Sequence, residues 1–279
     1  MKKYFFIVSE SIRFVLEDFS KIKPYVLWST GLYFLSQLFM IMLTGTDWYI
    51  RQFDVFTEQS TNIFFEVLDF LSSLLVFTGY TIVVSRAIIL NEPTNMRHVK
   101  ELLISKTPQF LLISIKLILL FVVFLFILFI ILFIAFFLIE LFPIFIEHEF
   151  IFDIPNAIYF LCIITGFSCL MMAFVASAID KKPSLGLSLS LTKNHRILVM
   201  LSSMSILAAI GLPLILFYMF ADIVLKELVS YAHPAIIALT AASFSSIPLL
   251  TNMFFASWMA HTYQVLVGDV DFNDPQKDL

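Results

Sequence analysis

Long apolar stretches alternate with shorter polar segments along the chain. The clearest stretch covers residues 117–139, LILLFVVFLFILFIILFIAFFLI, and contains no charged or hydroxyl-bearing side chain. A helix of that length spans roughly 35 Å, which exceeds the roughly 30 Å hydrocarbon core of a bilayer. The pattern predicts an all-α fold, a polytopic bundle of transmembrane helices. Six spans are predicted, near residues 24–43, 63–89, 110–139, 156–179, 197–225 and 234–266.

Similar triplets precede the first, third and fifth spans. They are Phe19-Ser20-Lys21, Ile104-Ser105-Lys106 and Leu191-Thr192-Lys193. Because two spans follow each triplet, we predict a threefold repeat of a cytoplasmic interfacial amphipathic helix plus a transmembrane hairpin. Chance similarity of three short triplets is the alternative. The predicted single membrane domain, 1–279, then divides into units 1–92, 93–182 and 183–267 and a short cytoplasmic tail, 268–279.

The three interfacial helices differ in how clearly the sequence marks them. The first has apolar residues on one face and polar residues such as Glu10 and Arg13 on the other, so it is expected to lie on the cytoplasmic leaflet. Thr94 and Ser184 are suited to cap the second and third. The third, SLGLSLSLT, alternates like a strand. Helix is favoured, because a lone strand at a membrane surface leaves its backbone unpaired.

Charge predicts the orientation. The chain is 60% hydrophobic and 14% charged, against roughly 25% charged in soluble domains. With six spans, fifteen of the seventeen Lys and Arg side chains fall on one side, and only Arg51 and Lys226 fall on the other. By the positive-inside rule both termini are predicted to be cytoplasmic, and we expect a multi-pass plasma membrane protein.

Small residues spaced by four indicate which spans pack closely. Spans four to six contain such pairs and are expected to form the tight core, with span three on the lipid-facing rim. The pairs are Ala173 with Ser177, Ser205 with Ala209, and Ala256 with Ala260.

Basic residues near the cytoplasmic ends of the spans are the candidate contacts to lipid headgroups. They are Arg86, Arg97, Lys100, Lys106, Lys193 and Arg196. A transport role for Arg86 is the alternative. Acidic residues on the same side match these charges, so no nucleic-acid partner is expected. The expected partners are membrane lipids, with another membrane protein or a second copy of the chain as further candidates.

Four residues in spans five and six are candidates for transport or for packing. Pro213 and Pro248 are predicted to interrupt their helices, and Asn252 follows Pro248 by one turn. Broken helices can form transporter sites, and simple kinks are the alternative. His261 is expected to form a hydrogen bond to a neighbouring helix.

Catalytic and metal chemistry find little support in the sequence. The chain has seven glycines and neither a glycine-rich phosphate loop nor a nucleophile elbow, so we expect no enzyme and no cofactor. Glu66 and Asp69 could bind a cation at the outer end of span two, although a solvated helix end is the favoured interpretation. The acidic residues around His148 lack a metal-ligand spacing, so no metal site is expected.

One segment resembles a known family. Residues 172–196, MAFVASAIDKKPSLGLSLSLTKNHR, are similar to bacterial inner-membrane proteins of the YciC type and to the membrane domain of some glycerophosphoryl diester phosphodiesterases. Asn194 and His195 depart from the usual Gly-Asn. The resemblance implies a six-span fold and a bacterial inner-membrane location, with no catalytic residues to transfer. The matching positions are Asp180, Leu185, Ser188, Leu191, Thr192 and Lys193.

Two functions follow as hypotheses. The first is a non-enzymatic scaffold or accessory factor in membrane or envelope homeostasis that acts through lipids or a partner membrane protein. The second is a transporter for a small or lipid-like solute, with Pro248 and Asn252 lining its path.

Overall fold

The chain is helical throughout the part that the structure describes. The computed structural model describes residues 2–44, 63–92, 96–141, 150–181, 184–247 and 251–268. A π-helical turn, Arg86–Leu90, extends the third helix. The all-α prediction is confirmed. The helices are α1 Lys2–Glu17, α2 Phe19–Thr44, α3 Ile63–Ser85, α4 Met96–Leu141, α5 Phe150–Ala178, α6 Leu185–Thr192, α7 Arg196–Tyr231, α8 Pro234–Ser246 and α9 Thr251–Gly268.

Among the described residues, four helices contain a segment that is long and apolar enough to cross a membrane. These segments overlap predicted spans one, two, three and five, the third only over residues 110–120, so the chain has helices that are compatible with a membrane protein. Apolar segments in α5 and α8 are shorter, and the count of six spans stays a prediction. The four long segments are Phe19–Met42, Asp69–Leu90, Val99–Leu120 and Arg196–Val229.

The predicted first amphipathic helix is α1, and its buried face packs against protein. The Ser257 hydroxyl of α9 donates to the Ser11 carbonyl at 3.1 Å. The Tyr4 hydroxyl lies 2.6 Å from Oγ of Ser205 on α7. Other α1 side chains, such as Leu16 at 70% exposed, remain available to lipid. The helix is therefore part of the bundle as well as a candidate for the leaflet surface.

The prediction of a separate second interfacial helix is wrong. α4 runs without interruption from Met96 to Leu141 and carries Pro108 inside it. An internal proline usually kinks or ends a helix, but tertiary contacts flank this one. Lys106 is ion-paired with Asp180, and Phe110 is fully buried. Since the second unit lacks its own short helix, the threefold repeat stays a prediction that these helix boundaries do not support.

The third interfacial helix is a helix despite its alternating sequence. α6 is eight residues long, and the Ser184 hydroxyl caps it by accepting a hydrogen bond from the Leu187 N–H. An N-cap of this kind satisfies a backbone donor that the helix itself leaves unpaired. The predicted cap and the preference for helix over strand are both confirmed.

The predicted sixth span is divided into two helices. α8 ends at Ser246 and α9 begins at Thr251, and Pro248 lies outside the described residues. Pro213, in contrast, lies inside the continuous helix α7. The predicted interruption at Pro213 is therefore wrong, because α7 continues through it, and the alternative of a simple kink stays a prediction.

Close packing at small residues is confirmed for two of the three predicted pairs. Ala173 and Ser177 on α5, and Ala256 and Ala260 on α9, are fully buried. Ala209 on α7 is exposed instead, so the third pair does not form a tight contact. Small side chains let two helices approach closely only where another helix lies opposite them.

The predicted position of span three on the outside of the bundle is confirmed for the side chains that are described, and its contact with lipid stays a prediction. Beyond Leu117 on α4, Val122, Phe126 and Ile134 are each more than half exposed. Exposed side chains of this type suit a hydrocarbon solvent, so this half of α4 has the surface expected at a lipid-facing rim.

Candidate functional site

Four charged side chains form a cluster at one end of the bundle, which we call the Asp180 cluster. It begins where α3 continues as the π-helical turn, which Asn91 follows with a φ of 52°. Nε and Nη2 of Arg86 donate to the two carboxylate oxygens of Glu92 at 2.6 and 3.0 Å. Paired bonds of this kind orient the guanidinium as well as compensating its charge.

Asp180 joins the cluster from the connection between α5 and α6. Its backbone is left-handed, with a φ of 62°. Its Oδ2 accepts from Nη1 of Arg86 at 2.6 Å, and its Oδ1 accepts from Nζ of Lys106 at 2.7 Å. The hydrogen bonds from Arg86 and then Lys106 lower the pKa of Asp180. Asp180 therefore stays ionised and ties α3 and α4 to the end of α5.

The two cations of the Asp180 cluster are nearly enclosed by protein. The side chains of Arg86 and Lys106 are 11% and 12% exposed, whereas those of Glu92 and Asp180 are 39% and 54% exposed. Buried cations are costly unless they are paired, and here two carboxylates compensate two cations. Headgroup contact at Arg86 or Lys106 stays a prediction, but it would have to compete with these ion pairs.

The remaining four candidate headgroup residues form an exposed set, which we call the basic surface. Its members lie at the start of α4 and on the connection from α6 to α7: Arg97, Lys100, Lys193 and Arg196. The Arg97 side chain is 91% exposed and lies 3.7 Å from Glu101. On α6, shortly before Lys193 in the chain, Leu187 and Leu189 are exposed. Exposed leucines beside basic residues are typical of a segment at a lipid–water interface.

The residues of the resembling segment lie mainly on the inward face of α6. Ser188 is 2% exposed and Thr192 is fully buried. Leu185 and Leu191 are half-buried and pack against the core. In contrast, Lys193 is exposed. This arrangement gives the motif a role in docking α6 on the bundle, and Asp180 a role in the ion-pair cluster.

Five helices, α3, α4, α5, α7 and α9, line a cavity of about 470 Å³, which we call the five-helix cavity. Most of its lining is aromatic or aliphatic. The polar side chains include Asn252 and three serines, and none of the described lining residues is charged. Such a cavity suits an apolar ligand. The serines are Ser114, Ser168 and Ser203.

The four candidate transport or packing residues do not form one site among the described residues. Asn252 lines the five-helix cavity. Pro213 lies in the wall of another cavity, of about 390 Å³, between α1, α7, the start of α9 and Ile247, which follows α8. Nδ1 of His261 donates to the Ser257 carbonyl at 2.9 Å, within α9. The bond seen at His261 is therefore within its own helix rather than to a neighbour.

Asp69 has hydrogen-bond partners that the sequence analysis did not identify. Its Oδ1 accepts from the Tyr33 hydroxyl at 2.9 Å and from Nε2 of Gln37 at 2.5 Å. Tyr33 and Gln37 are four residues apart on α2, so they share one face of that helix. The spacing of Tyr33 and Gln37 could have indicated that both side chains contact one partner, but it does not show which helix supplies that partner. The side chain of Glu66, the other predicted cation ligand, lies outside the described residues.

Glu92 was also missed, and here the sequence offers no signal. It lies six residues after Arg86, which is not a spacing that brings two side chains together on a regular helix. The π-helical turn and the left-handed Asn91 produce the contact. Only the backbone path shows that Glu92 belongs to the cluster.

Neither a metal site in the described residues nor a relative of the chain is found. In the described part of the chain, no three His, Cys, Asp or Glu side chains are grouped so that they could hold a metal ion, and His148 lies outside that part. Comparisons with protein-family models, curated proteins and solved structures found no match. The resemblance to the YciC type therefore stays a prediction from one segment.

Proposed function

We propose that the protein is a non-enzymatic scaffold or accessory factor in membrane or envelope homeostasis, acting through membrane lipids or a partner membrane protein. The basic surface is the observation that carries this proposal. Two of its exposed cations, Lys193 and Arg196, follow the exposed Leu187 and Leu189 of α6 within a few residues of the chain. Basic residues at a membrane surface attract anionic headgroups with about 1 kcal/mol each.

The proposal includes the membrane topology. We assign six spans, both termini in the cytoplasm, and a multi-pass location in the plasma membrane, as in the bacterial inner membrane. α5, with 29 residues, is long enough for the fourth span. α8 and α9 together supply the sixth. This topology places the basic surface and the Asp180 cluster at the cytoplasmic face.

A photoreactive amino acid at Ser190 tests the scaffold proposal. Ser190 is exposed on α6, three positions from Lys193, whereas Ser188 on the same helix is 2% exposed. We expect Ser190 to form cross-links to lipid headgroups or to one reproducible membrane protein, and Ser188 to form few. If neither Ser190 nor a second probe at Arg97 captures either class, the proposal fails.

A transporter for a small or lipid-like solute is the second candidate. It is favoured by the position of Asn252, because this carboxamide lies in the wall of the otherwise largely apolar five-helix cavity. Span six is divided between α8 and α9 shortly before this residue. Divided helices can supply polar groups for a solute within the membrane.

Translocation of a fluorescent short-chain phospholipid in proteoliposomes tests the second candidate. Asn252→Leu should abolish translocation, because it replaces the carboxamide in the cavity wall with an apolar side chain. The matched control is Asn194→Leu, on the exposed connection after α6. If the wild type does not translocate the probe, or if Asn252→Leu translocates it as the wild type does, transport of this probe through the cavity is ruled out.

A further inference from the structure

The five-helix cavity is closed on one side and open on the other. Its floor includes Phe174, Trp258 and Met259, which are at most 3% exposed. Its rim includes Phe70 on α3, Ile118 on α4 and Leu207 on α7, which are 48%, 48% and 38% exposed. The exposed rim is apolar and comes from three helices that each contain a membrane-spanning segment. With the membrane location proposed above, the opening faces hydrocarbon rather than water.

We propose that one acyl chain of a bilayer phospholipid occupies the five-helix cavity. This deepens the scaffold function proposed above and rests on the membrane location assigned there. A volume of about 470 Å³ lies within the roughly 300–1,000 Å³ of known ligand sites. A chain inside it makes dispersion contacts with the aromatic floor that an empty space cannot make.

The charge of the lining decides which part of a lipid can enter the cavity. None of the described lining residues is charged. A fatty-acid carboxylate drawn into the cavity would be desolvated without a cation beside it, which is strongly unfavourable. A phospholipid keeps its charged headgroup at the interface and inserts only its chain. The cavity thus selects a chain whose polar group stays outside.

Trp258 is a natural reporter for this chain. It lines the cavity at 2% exposure, and its Nε1–H donates to the Ser202 hydroxyl at 3.0 Å. The chain has three tryptophans, so a Trp28→Phe, Trp48→Phe protein fluoresces from Trp258 alone. Phospholipids brominated on their chains quench a tryptophan that they approach closely. Vesicles of such lipids should quench Trp258, although it is buried from the protein surface.

Two substitutions on α7 give a matched comparison. Leu207→Phe narrows the rim of the cavity, whereas Leu212→Phe changes a side chain that is 65% exposed and does not line it. We expect quenching to fall by about twofold or more in Leu207→Phe, because fewer chain contacts remain, and to be unchanged in Leu212→Phe. If Leu207→Phe does not fold, Ile118→Phe narrows the same rim from α4.

The possible results separate this inference from the scaffold function. Absence of quenching in the parent protein, or equal quenching in the two α7 variants, overturns chain binding in this cavity. If an added brominated fatty acid quenches Trp258 and the brominated phospholipid does not, the proposal of a phospholipid chain is also overturned. Cross-links from Ser190 are independent of these results, so the scaffold function can survive a failure of the acyl-chain proposal.

Discussion

Nη1 of Arg86 lies 2.6 Å from Oδ2 of Asp180, although 94 positions separate the two residues in the chain. Their ion pair joins the end of α3 to the connection between α5 and α6. Lys106 adds α4 through the other oxygen of the same carboxylate, at 2.7 Å. The Asp180 carboxylate thus connects the end of α3, α4 and the end of α5 through two ion pairs.

Removing the Asp180 carboxylate should destabilise the protein. Asp180→Asn leaves Arg86 and Lys106 nearly enclosed with one carboxylate fewer to compensate them. We expect a loss of about 1–2 kcal/mol in the free energy of unfolding, since the pair is partly solvent-screened on the Asp180 side. Denaturant titration of the purified protein in mild detergent measures this loss.

The matched control for Asp180→Asn is Glu101→Gln. Glu101 pairs with Arg97 at 3.7 Å, and both side chains are more than 60% exposed. Exposed pairs of this kind contribute about 0–1 kcal/mol, so this control should change stability little. Equal losses in the two variants would contradict a structural role for the Asp180 cluster.

Asp180 also gives the stability a pH dependence of known sign. Its pKa is lowered in the folded protein by the hydrogen bonds from Arg86 and Lys106, whereas an unperturbed Asp titrates at about 3.9. Its contribution is therefore fully present above a pH of about 5 and is lost as the pH falls through the lowered pKa. The difference in Tm between wild type and Asp180→Asn should shrink on acidification. A difference in Tm that grows on acidification would contradict a lowered pKa of Asp180 in the folded protein.

Gly79 on α3 should not tolerate a larger side chain. A Cβ at this position would overlap the Tyr25 hydroxyl of α2, whereas nothing lies within 4 Å of a Cβ at Gly166. Gly79→Ala should therefore cost about 1–3 kcal/mol through overpacking. Gly166→Ala, the control within α5, should be neutral or slightly stabilising, because alanine favours helix. Thermal unfolding of both variants distinguishes these effects.

The hydrogen bond between Tyr4 and Ser205 should contribute to the docking of α1. The two hydroxyl oxygens lie 2.6 Å apart on α1 and α7. A double-mutant cycle of Tyr4→Phe and Ser205→Ala should give a coupling free energy of about 0.5–1.5 kcal/mol. A coupling near zero would mean that this hydrogen bond does not contribute to holding α1 against α7.

Part of the candidate site could be predicted from the sequence. The position of Arg86 at the end of α3 follows from the boundary of an apolar stretch, and the start of α6 follows from the capping residue Ser184. The partners of Arg86 could not be predicted in the same way. Glu92 reaches it through a π-helical turn, and Asp180 reaches it only because α3 and α5 pack side by side. Neither contact leaves a periodic signal.

The sequence by itself determined the helical fold, the apolar spans and the Ser184 cap, because length, periodicity and capping act over one helix at most. The tertiary structure decided whether Pro108 ends a helix, which side of α1 is buried, and which carboxylate meets Arg86. These outcomes depend on contacts between residues far apart in the chain. Their free energies are gained only when whole helices pack, so no local pattern of side chains encodes them.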